Sequence, residues 1–111
     1  MKPSISYTDF EKLDIRVGRV MSVTAPDWSN KLLRMEVDFG EEMGTKILFS
    51  GIRKWYEPEE LVGKNMQFVV NMEPKKMADE ESQGMLIMAD TDEKPILLFL
   101  PETLQPGSVV R

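Results

Sequence analysis

Apolar and polar residues alternate along most of this chain with the two-residue period of half-buried strands, not the 3.6-residue period of helices. In the clearest run Leu33, Met35, Val37 and Phe39 interleave with Arg34, Glu36 and Asp38, so one face is buried and the other is wet. Ahead of it, β-branched Ile15, Val17, Val20 and Val23 mark a long first strand closed by Ala25 and Pro26, with Gly18 a place for a bend or bulge. Behind it, Gly40 to Gly44 reads as a turn and residues 46–49 as a third extended run that stops at Ser50 and Gly51. Met66, Phe68 and Val70 alternate in a fourth strand that ends at Asn71 and Pro74, and residues 84–89 form a fifth.

Two short helices interrupt the strands. Thr8 stands three residues ahead of Glu11, the spacing of a capping box, with Phe10 and Leu13 sharing one face. Pro58 near a start, Glu59 and Glu60 in a first turn, Leu61 inward and Gly63 past the end predict the second. Three strands, a helix and two more strands is the order of an oligonucleotide-binding barrel. The expected fold is therefore all-β with short helices: a five-stranded OB-fold barrel over about residues 10–90, followed by a C-terminal extension, residues 91–111. In that extension Ile96 to Leu100 are apolar at every position, so both faces require cover, either between barrel and tail or in a subunit interface. The length fits one domain, residues 1–111.

Composition narrows the function. No apolar stretch approaches the ~20 residues of a membrane span. The N-terminal residues hold no signal-peptide run, so a cytoplasmic protein without membrane contact is expected. Cysteine and histidine are both absent, which removes the thiol nucleophile, the usual general base and the commonest zinc ligands together. No GxSxG elbow, phosphate-cradling GxxxxGKS/T loop or GxGxxG turn is present. No enzyme is expected, and hence no catalytic residue, metal or cofactor. A net charge of −5 weighs against unspecific nucleic-acid binding, because phosphate affinity comes from Lys and Arg. The acid is unevenly spread, however: residues 31–76 carry eight basic and eight acidic groups, and residues 77–111 carry two and seven.

Three clusters then stand out. Leu13 to Gly18 come first, Ser50, Gly51 and Ile52 second, and the third runs from Asn71, Met72, Pro74, Lys75, Lys76 and Met77 to Ser82, Gly84 and Met85. In this order and spacing they resemble the tRNA-binding domain family, which includes free-standing structure-specific tRNA-binding proteins, the C-terminal domain of many methionyl-tRNA synthetases and the endothelial monocyte-activating polypeptide domain. The resemblance covers about Phe10 to Asp90. It implies tRNA as partner, a homodimer, and a site at Lys31, Ser50, Asn71, Lys75, Lys76, Ser82 and Met85. The chemistry agrees: an amide that donates and accepts, two hydroxyls, two lysines for phosphate, and glycines that let a backbone approach closely. Each has a plainer alternative, with Asn71 tying a turn, Ser50 and Gly51 ending a strand, and Lys75 and Lys76 lying in a solvated loop.

Two departures qualify the match. Ala78, Asp79, Glu80 and Glu81 replace the basic, glycine-containing stretch of the family, and within a Debye length of ~8 Å three acids offset the charge of Lys75 and Lys76. Asp27, Trp28, Ser29 and Asn30 also replace the usual approach to Lys31, leaving Trp28 either as a stacking platform or packed on the barrel rim. A further run, Asp38 to Lys46 followed by Tyr56, Pro58 and Leu61, is similar to small export-related chaperones of the same fold. This leaves an unfolded peptide as the alternative ligand, received by flexible methionines, and docking to an aminoacyl-tRNA synthetase as a third possibility.

Overall fold

A computed structural model describes residues 1–111. Its elements are helix α1 (Tyr7–Phe10), strands β1 (Ile15–Thr24) and β2 (Leu33–Asp38), helix α2 (Gly40–Met43), β3 (Thr45–Ser50), a 3₁₀ turn (Pro58–Glu60), β4 (Asn65–Val69), β5 (Lys75–Met77), β6 (Glu80–Ser82), β7 (Met85–Leu86), β8 (Met88–Asp90) and β9 (Pro95–Leu97). The main sheet is antiparallel in the order β3-β2-β1-β4-β7. It curls until its edges meet: the Gln83 N–H donates to the Ile47 carbonyl at 2.8 Å and the Ile47 N–H to Gln83 Oε1 at 2.9 Å. The result is a nearly closed five-stranded OB-like barrel, and closure hides the strand edges that an open sheet would expose.

The alternation of β2 is realised position by position, with Leu33, Met35 and Val37 fully buried between half-buried Arg34, Glu36 and Asp38. These pack with Val20, Phe39, Leu48, Ile52, Leu61, Met66 and Phe68 in one core, each burial contributing ~1.5–3 kcal/mol. Phe39 and Phe68 meet edge to face at 5.4 Å. The first strand is bent at Met21, where the pairing with β2 shifts register, and not at Gly18. Gly18 serves the packing instead. A Cβ there would come within 2.5–2.8 Å of Val37, Phe39 and Phe68, so the core closes over the missing side chain.

Several local expectations are corrected. The first helix is capped by Ser6, whose hydroxyl accepts the Asp9 N–H at 3.1 Å, while Glu11 ends the helix instead of completing a box with Thr8. The turn at Gly40 contains the single helical turn α2. The fifth strand divides, with β7 staying in the barrel and β8 leaving it to pair with β9. The apolar run Ile96 to Leu100 is not sandwiched on both faces: Leu97 enters the core, Ile96 and Leu98 are half-buried, and Phe99 is exposed beneath the Lys64 ammonium. Of the methionines, Met35 and Met66 are core, Met77 and Met88 are half-buried, and Met72 and Met85 are exposed.

The C-terminal residues finish the sheet. Of β1, only Arg19 to Thr24 pair with β2, which leaves the same edge of Ile15 to Val17 open. Backbone groups fill it, with Gly107 N–H to Val17 carbonyl at 2.7 Å, Val17 N–H to Ser108 carbonyl at 2.9 Å and Val110 N–H to Ile15 carbonyl at 2.8 Å. Buried Asn65 holds the preceding turn, donating to the Pro101 and Leu104 carbonyls at 3.0 Å each while accepting from Arg19 Nε at 3.0 Å.

Candidate nucleic-acid interface

Strands β5 and β6 form a hairpin arm laid against the outside of β2 and β3. Its inner strand, β6, is fixed by charge: the Arg34 guanidinium donates to both Glu80 oxygens, at 2.9 Å and 2.8 Å, and also to Glu36 at 3.2 Å. The hydrogen bonds from Arg34 hold the Glu80 carboxyl below its ordinary range. Planar two-point pairing of this kind fixes orientation as well as distance. At the arm's base Ser82 is buried, its hydroxyl accepting the Phe49 N–H at 3.0 Å. Ala78 makes the tip with φ of 58°, a left-handed conformation uncommon for a residue with a Cβ.

This arm sorts the predicted residues. Lys75 and Lys76 are exposed on β5, so they lie on a strand and not in an irregular loop. Lys76 stands across from Glu81, Met77 from Glu80, and Lys75 from Ser82. The three acids are unequal: Glu80 is consumed by Arg34, while Asp79 and Glu81 remain exposed beside the lysines. Ser50 is half-buried at the end of β3, next to the Phe49 amide that Ser82 engages. Ser82 itself faces inward, with its hydroxyl engaged by the Phe49 amide.

The remaining candidates are spread more widely. Asn71 is occupied by backbone, with Nδ2 donating to the Lys12 carbonyl at 2.6 Å and Oδ1 accepting the Asp14 N–H at 2.9 Å, so it ties the end of β4 to the start of β1. Met85 is exposed on β7 opposite Val69. Lys31 lies beyond the other end of β1, exposed in the β1–β2 loop. The arm runs between these ends, since Glu80 reaches Arg34, whose strand partners are Thr24 and Phe49.

Sequence reasoning passed over three groups here. Arg34 belonged to an alternating strand and gave no sign of its partner 46 residues away. Arg53 donates to the Pro26 carbonyl at 3.0 Å and to the Ser29 carbonyl, and its N–H to the Lys31 carbonyl at 3.2 Å, which ties the loop after β3 to the β1–β2 loop. Trp55 lines an open cleft of about 610 Å³ between those loops with Asn30, Lys31, Leu32, Gly51 and Lys54. An aromatic residue directly after Arg53 and Lys54 was the available signal. Trp28 is half exposed, with its ring 5.8 Å from Phe49.

Comparison with known proteins agrees with this geometry. The model of the family described as "Putative tRNA binding domain" matches residues 15–109. The methionine–tRNA ligase of Methanosarcina acetivorans is 43% identical over 110 residues, 98% of this chain, and that of Lactiplantibacillus plantarum is 41% identical over the same length. The chain spans only 15% and 16% of those ligases. Among solved structures, a MetRS-related protein from Pyrococcus horikoshii superposes with a TM-score of 0.92 at 37% identity, covering 99% of this chain and 100% of that one. The chaperone CsaA from Bacillus anthracis superposes at 0.86 with 30% identity, covering 98% and 100%. With the family's segment matched over nearly the whole barrel, and relatives above 40% identity across it, this chain belongs to the tRNA-binding domain family.

Proposed function

We propose that this chain binds tRNA without catalysing a reaction, reading the shape and backbone of the folded RNA. The observation that carries this reading is the docked arm, whose strand β6 is pinned to the barrel and whose outer strand β5 presents Lys75 and Lys76, in a member of the tRNA-binding domain family. A-form RNA offers mainly phosphates and 2′-hydroxyls to a protein, and lysines held on a rigid arm suit both. Lys31, Lys75 and Lys76 serve as phosphate contacts, Ser50 and Met85 as neighbouring surface, Ser82 as the group that positions the arm, and Asn71 as the tie between the end of β4 and the start of β1. Residues 1–111 act as one unit, barrel and extension together, because the extension fills the edge of β1. A cytoplasmic location accompanies a tRNA ligand.

The functional unit in this reading is a homodimer. Exposed Tyr7, Phe10, Leu13 and Val109 lie around one shallow depression where α1 meets the C-terminal residues, and a two-fold copy would cover them. Sedimentation equilibrium at tens of micromolar decides this part, and a monomer there ends it. For the ligand, filter binding of tRNA across a salt series is the direct test. Affinity should fall steeply with salt, and Lys75→Glu with Lys76→Glu should weaken binding at least tenfold, roughly 1.4 kcal/mol, at unchanged stability. Exposed Met72 and Met85, together with the likeness to CsaA, favour a second reading, capture of apolar peptides; that binding would survive high salt. Docking to a synthetase would require neither response.

A further inference from the structure

The cleft around Trp55 lies outside the arm, and its lining has a distinct chemistry. Leu32 and the Trp55 ring supply an apolar wall, Lys31 and Lys54 supply two ammonium groups, Asn30 supplies an amide, and no carboxylate lines it. In a chain of net charge −5, two lysines without an acid form a local site for an anion. The Lys54 ammonium stands 5.6 Å from the centre of the Trp55 ring, so the cation and the aromatic surface are already adjacent. The space beside Gly51 is open, since a Cβ added there meets nothing within 4 Å.

The walls are also fixed in advance. Ser29 Oγ accepts the N–H groups of Lys31 and Leu32 at 3.1 Å and 3.2 Å, while Arg53 spends its donors on the carbonyls of the same loop. On the other side the Trp55 backbone N–H donates to the Ile52 carbonyl at 3.0 Å. A site held this way loses little freedom when occupied. A flat apolar surface next to two cations and an amide matches a nucleotide: the base stacks, the phosphate pairs with lysine, and the amide reaches the base edge. An apolar peptide would leave both ammonium groups without a partner.

We propose that this cleft takes one unpaired nucleotide of the bound RNA, its base stacked on Trp55 and its phosphate between Lys31 and Lys54. The proposal rests on the tRNA reading and adds to it a subsite for single-stranded RNA, separate from the backbone contacts of the arm. Trp28→Phe leaves Trp55 as the lone tryptophan and reporter. That protein is titrated with tRNA, a blunt RNA hairpin, the same hairpin with a short single-stranded 3′ overhang, and an apolar peptide. The overhang should quench Trp55 fluorescence and bind about tenfold tighter than the blunt hairpin, within the range of a stacked base. Trp55→Ala should abolish that preference while leaving blunt-hairpin affinity and melting temperature unchanged, and Trp55→Phe should retain most of it. Equal affinity for the two hairpins with tRNA still bound overturns the subsite alone. Quenching by the peptide and not by the overhang assigns the cleft to peptides and overturns it as well. Failure to bind any of the RNAs overturns both the subsite and the tRNA reading.

Discussion

The barrel carries two additions, the β5–β6 arm and the C-terminal segment from Leu100 to Val110, and they are attached by different forces. The C-terminal segment is held by backbone hydrogen bonds along β1 and by buried Asn65, in a setting where unmade bonds are costly. The arm is held by a partly exposed ion pair, Arg34 with Glu80, and by one buried hydroxyl, Ser82. The first mode of attachment is insensitive to salt and pH, whereas the second responds to both. The difference places structural integrity at the Ile15–Val17 end of β1 and a more adjustable element over β2 and β3.

The strongest way to test this contrast is at Asn65. Asn65→Ala removes two donors to the tail and the acceptor of Arg19, leaving buried polar groups without partners. It should cost about 2–4 kcal/mol by urea denaturation, and the loss should be the same in low and high salt. A cost under about 1 kcal/mol would mean that the tail is carried by its other bonds, those of the backbone and of the Arg16 and Arg19 guanidinium groups.

At the arm, the expected cost is functional and smaller. Glu80→Gln should undock β6, weaken tRNA binding severalfold and leave the global urea midpoint nearly unchanged. The same undocking should follow from acid. Because Arg34 depresses the Glu80 carboxyl, its contribution is complete above the ordinary glutamate range near ~4.3 and is lost as pH falls through the lower folded value. Amide exchange of residues 75–82 against pH checks this, and protection that is flat between neutral and strongly acidic solution would contradict it.

The smallest effect separates the acids of the arm from one another. Asp79→Asn with Glu81→Gln should strengthen tRNA binding two- to threefold at low salt, about 0.5 kcal/mol, and the gain should vanish at high salt. The opposite signs expected for Glu80 and for its two neighbours are the sharpest form of the comparison. Weaker binding in the double variant would give these carboxylates an organising role instead of a repulsive one.

Much of the barrel was legible because a two-residue period is a local property: Leu33, Met35 and Val37 declare their burial without reference to any partner. The same locality explains the misses. Glu80 reads as one of three acids until the fold sets it beside Arg34, and Ser82 reads as a free hydroxyl until closure turns it toward the Phe49 amide. Ser6 displaced Thr8 as the helix cap because both are hydroxyl residues, and two positions along the chain separate the alternatives.

What the sequence determined by itself, then, was strand periodicity, the order of elements, and the spaced motif that places the chain in its family. These depend on neighbours along the chain. The tertiary structure decided which polar side chains are spent on the fold and which face solvent. Asn71 and Ser82 went to backbone partners, Lys75 and Lys76 outward on a strand, and Lys31, Lys54 and Trp55 came together from two loops. Those outcomes follow from contacts between residues far apart in the chain, and the alternation of apolar and polar residues does not encode them.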